Sequence, residues 1–362
     1  MLREDYETKF TTLKQPFNIG VPNKNGRLRL REIDLKSLKA EQLYPHRQVI
    51  RFNSTFVEVM DSWEFIRGRA TALALPMWGV CIFGLILFCI MAAGGWQDEV
   101  YWFSIFILII GLGVVYIIYS NYQMAKYDLF GYTHYPIRFN RKTQKVYAFS
   151  PQQQKIIELN WADLRFSAVQ EGRFDIELRG SLVNAENIVE EEIIFPFITK
   201  IYGRELVDQH LAFFKAYMEG DDLKSIDASI PEYFDIYKRK ETFKESFERV
   251  YMQFDGEEII QQTRPLERDN GIASVAFAIF PLIIIRRLGL YLSKIPQWPT
   301  HIEKECQIDS NDPYDSTGKK RHLAPLVFSS SDKVILFIGW LIGTSIFITF
   351  LAGLAYLSWN YR

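Results

Sequence analysis

Cysteine is scarce, histidine is scattered, and neither sign of charge dominates. There are three cysteines in 362 residues, Cys81, Cys89 and Cys306. The first two lie inside one apolar run, and no Cys-x-x-Cys pair or Cys/His zinc spacing occurs. The count gives no support to a disulfide framework, as expected for polar regions facing a reducing cytosol. Lysine and arginine number 42 against 43 aspartates and glutamates. That balance gives no reason to expect nucleic acid as a partner.

Catalytic signatures are absent as well. The sequence has no phosphate-binding G-x-x-x-x-G-K-[ST], no G-x-G-x-x-G, no H-E-x-x-H and no G-x-S-x-G. The histidines stand apart at 46, 134, 210, 301 and 322. His210 falls on an amphipathic pattern and reads as packed or solvated. The segment HIEKEC (301–306) gathers His301, Glu303, Glu305 and Cys306, with Asp309, Asp312 and Asp315 following. Their order fits no zinc or calcium pattern, so no metal and no cofactor is expected. The run Glu190, Glu191, Glu192 reads as a solvated strand end. We expect a non-enzymatic protein.

What is present in quantity is apolar sequence without charge. Residues 70–95 and 100–120 are each long enough for a bilayer, which takes about 20 helical residues. Trp96 and Trp102 flank the short link WQDE, a plausible interfacial position. The two runs predict a transmembrane hairpin over 70–121. A third uncharged run, 334–357, predicts a C-terminal span. Gly339 and Gly343 form a G-x-x-x-G pair there, a spacing that lets helices approach closely and a candidate route to a homo-oligomer. None of these runs contains a charge for an ion path or proton relay. The N-terminal sequence MLREDYETKFTTLKQPFNIG has no apolar core, so no cleavable signal is expected. Basic residues crowd 1–69 and the start of 122–270, whereas WQDE has none. The positive-inside rule then puts the bulk of the polar sequence in the cytoplasm and WQDE outside.

The stretch IFPLIIIRRLGLYLSKIPQWP (279–299) is harder to place. Its uncharged part is short, and a full span would carry Arg286 and Arg287 into lipid. The reading favoured is a re-entrant or interfacial helix over 271–299, bending near Pro281. Arg286, Arg287 and Lys294 would meet lipid headgroups, and Tyr291 and Trp298 would sit at the interface. A full span and a soluble core helix are the alternatives.

The polar sequence between the apolar runs begins with β signals. IRFNRKTQKVYAF reads as strand, turn, strand; KIIELNWADLRFSA, RFDIELRGSL and VEEEIIFPFI follow. GRELVDQHLAFFKAYMEG (203–220) is helical, with Leu206, Leu211, Phe214 and Met218 near one face. Several strands closed by one helix predict an antiparallel barrel or sandwich over 122–270. VIRFNSTFVEV in the region 1–69 could add a strand, and 300–333 reads as a loop. The fold class expected is an α+β membrane protein.

IRFNRKTQKVYAF followed by NWADL, beside a membrane hairpin, resembles the bacterial pleckstrin-homology-like membrane proteins over about residues 135–220. With FERVYMQFDGEEI and RRLGLYLSKIPQWP, the whole pattern resembles an uncharacterised family of bacterial membrane proteins often encoded near type VI secretion and polymorphic-toxin genes. The resemblance implies an inner-membrane immunity or accessory protein for a secreted effector. A lipid-sensing or signalling scaffold is the competing reading. Trp161, Phe166, Phe174, Phe195 and Phe197 are the candidate partner-binding aromatics, with the core as the alternative place for most of them, and membrane lipids are the other expected partner.

Overall fold

Strands β3 (Val49–Phe52) and β4 (Phe56–Val59) are mostly apolar and buried on both faces, with Val49, Phe52, Val57 and Val59 in the main core and Ile50 and Phe56 in smaller clusters. The partner of β4 lies far along the chain, in β5 (Ile137–Asn140), with Val57 opposite Phe139 and Glu58 opposite Arg138. The computed structural model describes residues 15–23, 26–38, 42–61, 64, 67–150, 155–171, 175–200, 204–252, 271–319 and 330–360.

Sheet formation proceeds through β6 (Lys145–Ser150) and β7 (Lys155–Asn160), giving the order β3-β4-β5-β6-β7. A single 3-10 turn, Trp161–Asp163, passes the chain to a second sheet. That sheet contains β8 (Leu164–Glu171), β9 (Asp175–Val183) and β10 (Ile188–Lys200). The N-terminal strands β1 (Gln15–Pro16) and β2 (Leu28–Ile33) complete it, in the order β1-β10-β9-β8-β2. The strand pairings are antiparallel. Residues before the first long apolar run therefore supply strands to both sheets.

The two sheets share one core, closed by a helix other than the two long apolar ones. Helix α1 (Arg69–Gln97) and α2 (Tyr101–Leu129) are each 29 residues long and leave from β4 to return at β5. Helix α3 (Arg204–Glu219) lays Val207, Leu211, Phe214 and Met218 on the sheets, the i, i+4, i+7, i+11 stripe of one helix face. The Phe139 and Phe214 rings sit 4.3 Å apart and Trp161 and Phe166 4.9 Å apart. Such pairs add about 0.5–1.5 kcal/mol beyond the burial of their area. The short helix α4 (Leu223–Ser229) and the amphipathic α5 (Phe243–Met252) follow.

Helix α1 and the stretch Tyr101–Gln123 of α2 are long and apolar enough to cross a membrane, each with mean hydropathy 2.4 and little of its surface buried. At the tip, the Ser104 hydroxyl donates to the Ala92 carbonyl at 2.8 Å, closing the hairpin. Helix α6 (Gly271–Leu292) continues as one helix through Pro281. After it, the chain pairs Lys294 with Tyr132 and reaches α7 (Thr300–Glu305). The expected 300–333 loop thus begins with a helix. Helix α8 (Ser330–Asn360) contains the 334–357 run; its described apolar stretch, Lys333–Ser345, is shorter than a span.

Candidate functional site

Arg286 was expected among lipid headgroups, and the structure corrects this: it is fully buried. On α6, with 100° per residue, it shares a face with Ile279, Ile283 and Leu290, all buried. The guanidinium Nε donates to Glu241 Oε2 at 3.0 Å and Nη2 to Glu241 Oε1 at 2.5 Å. Nη1 donates to the Glu64 carbonyl at 2.9 Å, and Nη2 also meets the Glu64 carboxylate. Arg249 on α5 approaches the same carboxylate at 3.7 Å and stacks 3.7 Å over the Phe234 ring. Two cations and two anions are therefore buried together. A buried charge is tolerated only when paired in this way. Burial raises the Glu64 carboxyl, but Arg249 and Arg286 outweigh it and hold it at about 2. Burial lowers the Arg286 pKa, and Glu241 and Glu64 raise it further than burial lowers it.

A second set of bonds fastens the hairpin at the same level. Arg67 Nη1 donates to the Asp128 carbonyl at 2.9 Å and to Ser293 Oγ at 3.3 Å, and Nη2 donates to the Tyr132 carbonyl. Asp128 Oδ2 accepts from the Thr71 amide and hydroxyl, both at 3.1 Å. The carboxylate at the end of α2 thus caps the first turn of α1, where orphan amides and the helix dipole favour an anion. Gly68 and Gly289 allow the close approach. A Cβ on Gly289 would lie 2.7 Å from the Asp128 carbonyl oxygen. Both ends of the hairpin and the C-terminal turn of α6 form one polar knot.

The P-x-W-P segment also departs from expectation. Trp298 does not stand free at a membrane interface. Its ring meets Phe149 edge to face at 5.0 Å and lies under the Arg138 guanidinium at 4.8 Å, and its indole N–H donates to Glu58 Oε2 at 3.2 Å. Arg138 Nη2 pairs with the same carboxylate at 2.5 Å, and both residues are buried. Glu58 and Arg138 face each other on β4 and β5, one on each side of the hairpin insertion.

The acidic and His/Cys residues of 301–315 are engaged one by one. His301 meets Glu158 at 2.7 Å, and the Tyr147 hydroxyl donates to Glu305 at 2.5 Å. Asn140 donates to Cys306 Sγ at 3.3 Å, Lys142 to Asp309 at 3.0 Å, and the Ser54 amide to Asp312 at 2.7 Å. Among the described residues no three such ligands gather. Glu192 is likewise no solvated strand end. It pairs with Arg29 at 3.0 Å and Arg179 at 2.8 Å on the outer face of the β1–β2 sheet. Burial pushes its carboxyl up, and Arg179 and Arg29 bring it down to about 2.

Of the aromatics proposed for partner binding, Trp161, Phe166 and Phe195 belong to the shared core, with 2 %, 1 % and 0 % exposure. They hold the sheets together and present nothing to a partner. Phe174 and the side chain of Phe197 lie outside the described residues. Tyr291 is 76 % exposed, Lys294 is exposed, and Arg287 is partly buried with Nη1 on the Glu241 carbonyl. Gly339 and Gly343 face α6 of the same chain: Cβ atoms there would lie 2.5 Å from Ala276 Cβ and 2.1 Å from the Phe277 carbonyl oxygen.

Sequence reasoning missed Glu64, Glu241, Arg249, Arg67, Asp128 and Glu58. One signal was available: two arginines inside an apolar run demand acids, and Glu64 stands just before the first charge-free run.

No curated protein and no solved structure matches this chain. A family of unknown function, DUF6708, matches residues 114–310, from the middle of α2 to just past α7. That region carries Arg138, Glu241, Arg286 and Trp298, and spans more than half of the sequence. The chain belongs to this family of unknown function, DUF6708.

Proposed function

We propose that this chain is a non-catalytic, membrane-anchored binding protein of the bacterial inner membrane. The hairpin spans the bilayer, and the two-sheet body, a pleckstrin-like unit by sequence resemblance, is presented in fixed orientation on the cytoplasmic face. The observation that carries this reading is the placement of the hairpin. It is inserted between paired strands β4 and β5 and pinned at its root by Arg67, Asp128 and the Arg286 ion pairs. An anchor tied to the body by a flexible linker needs no such buried charge. A rigid root suits a protein whose bound partner must meet the bilayer at a set height, since confinement and orientation raise effective concentration. The partner class is a secreted effector, for which the protein acts as immunity or accessory factor. Protection would come from binding rather than from destroying the toxin.

Co-expression tests it. Cells carrying the effector encoded beside this gene should survive with the full chain and die with an empty vector. Equal killing, with the chain shown in the membrane fraction, would overturn the immunity reading for that effector.

A further inference from the structure

Helix α6 turns Arg286 inward among apolar side chains and leaves a second apolar face outward. Opposite Arg286 stand Phe277, Ile284, Leu288 and Tyr291, exposed by 50 %, 57 %, 44 % and 76 %. At 100° per residue they fall within about 60° of one another. Helix α8 widens the same apolar surface with Phe337, Ile338 and Leu341, and its Trp340 ring lies 5.9 Å from Phe280. A patch of this kind on a soluble surface marks a docking site.

Three observations identify the occupant as lipid. The C-terminal turn of α6 abuts the root of the hairpin, where Gly68 touches Arg286 and Gly289 touches Asp128. That root is where the two apolar helices enter a bilayer. Next, α5 packs along the inner face of α6 through Phe247, Val250 and Tyr251, with its Lys244 side chain 76 % exposed. A bilayer enclosing α6 would also enclose Lys244, so α6 lies on the surface rather than across it. Last, the flank is basic. Lys240 Nζ donates to the Tyr291 carbonyl at 2.6 Å and sits 5.6 Å from its ring, and Lys294 is exposed nearby. The neighbouring acids Asp235 and Glu245 are taken by Arg239, at 3.1 and 2.6 Å.

We propose that α6 lies in the surface of the bilayer that the hairpin enters. Phe277, Ile284, Leu288 and Tyr291 rest among the acyl chains, and Lys240 and Lys294 hold anionic lipid phosphates. This rests on the membrane anchoring proposed above, not on the immunity role.

Spin labels on single cysteines test it in the full chain, reconstituted in nanodiscs of phosphatidylethanolamine and phosphatidylglycerol. Cys81 and Cys89 are replaced by alanine, and the buried Cys306 is left in place. Labels at 284 and 288 should collide several-fold more with oxygen than with a water-soluble nickel chelate, and a label at 244 should do the reverse. A label at Leu112, exposed in mid-hairpin, reports the anchoring independently. Oxygen excess at 112 with nickel excess at 284 and 288 would overturn the α6 proposal while leaving the anchor. Low collision with both reagents at 284 and 288 means a protein cover, and overturns it too. No oxygen excess at 112 sinks both readings. K240Q and K294Q should each weaken retention of phosphatidylglycerol roughly fivefold; unchanged retention in both would remove the headgroup contact.

Discussion

Gly68 and Arg286 touch backbone to backbone: a Cβ on Gly68 would stand 3.3 Å from the Arg286 Cα and amide nitrogen. Gly68 also has φ 92°, a conformation in which a side chain costs about 1–2 kcal/mol. Gly68→Ala should therefore be more destabilising than Gly318→Ala, where φ is 78° but nothing lies within 4 Å. Thermal unfolding of the two variants in detergent checks it. Equal losses would mean the Gly68–Arg286 contact carries no weight.

Arg286→Leu should destabilise the fold by about 3–5 kcal/mol, because it strands Glu241 as a buried acid without its cation and leaves Glu64 only the more distant Arg249, at 3.7 Å. Arg287→Leu should cost far less, since its described bond goes to a carbonyl rather than a carboxylate. Denaturant unfolding gives both values. A mild Arg286→Leu would show that the ion pairs are not desolvated as described.

The glycine pair on α8 offers a graded test. Gly343→Ala meets the Phe277 carbonyl at 2.1 Å and Gly339→Ala meets Ala276 at 2.5 Å, whereas a Cβ on Gly353 meets nothing within 4 Å. The first two should cost about 1–3 kcal/mol each as overpacking, and Gly353→Ala close to nothing. Melting temperatures of the three variants decide it.

Acid should weaken the chain in two stages. Burial pushes His134 and His210 down to about 4, so each stays neutral when folded and takes a proton more readily when unfolded. Their contribution is complete above about pH 6.5 and is lost as pH falls from there to about 4. Glu64 and Glu192, held at about 2, then lose theirs below about pH 4.5. Stability measured from pH 7.5 to 3 should fall continuously, and H134Q with H210Q should flatten the upper part. An unchanged slope between pH 6.5 and 5 in that double variant would refute the histidine assignment.

Topology follows from charge. A cysteine at Gln97 should react with an impermeant thiol reagent on intact spheroplasts, and one at Ser310 only after lysis. The reverse pattern would invert the orientation.

The parts legible in the sequence were those with a local signal. Charge-free length marked α1 and α2, and a period of 3.6 marked the core face of α3. Turn chemistry marked the β5–β6 hairpin. The site depends on what meets across distance. Val57 opposite Phe139 is a pairing across the whole hairpin, which no window along the chain reveals. The face of α6 that carries Arg286 points inward, where Glu64 and Glu241 meet the guanidinium and Ile279 and Ile283 pack beside it. The aromatics at 161, 166 and 195 read as binding residues only until a second sheet covers them.

The insertion of the hairpin between two paired strands has a consequence for biogenesis. During synthesis β4 emerges before the hairpin and its partner β5 after it; β2 waits longer still for β8. A spanning hairpin must therefore return before either sheet can close. Were only one of its helices to cross, β4 and β5 would end on opposite sides of the bilayer. The body could not assemble, and the chain would stay open to proteolysis. In a membrane-anchored chain, sheet closure would thus act as a proofreading step on insertion.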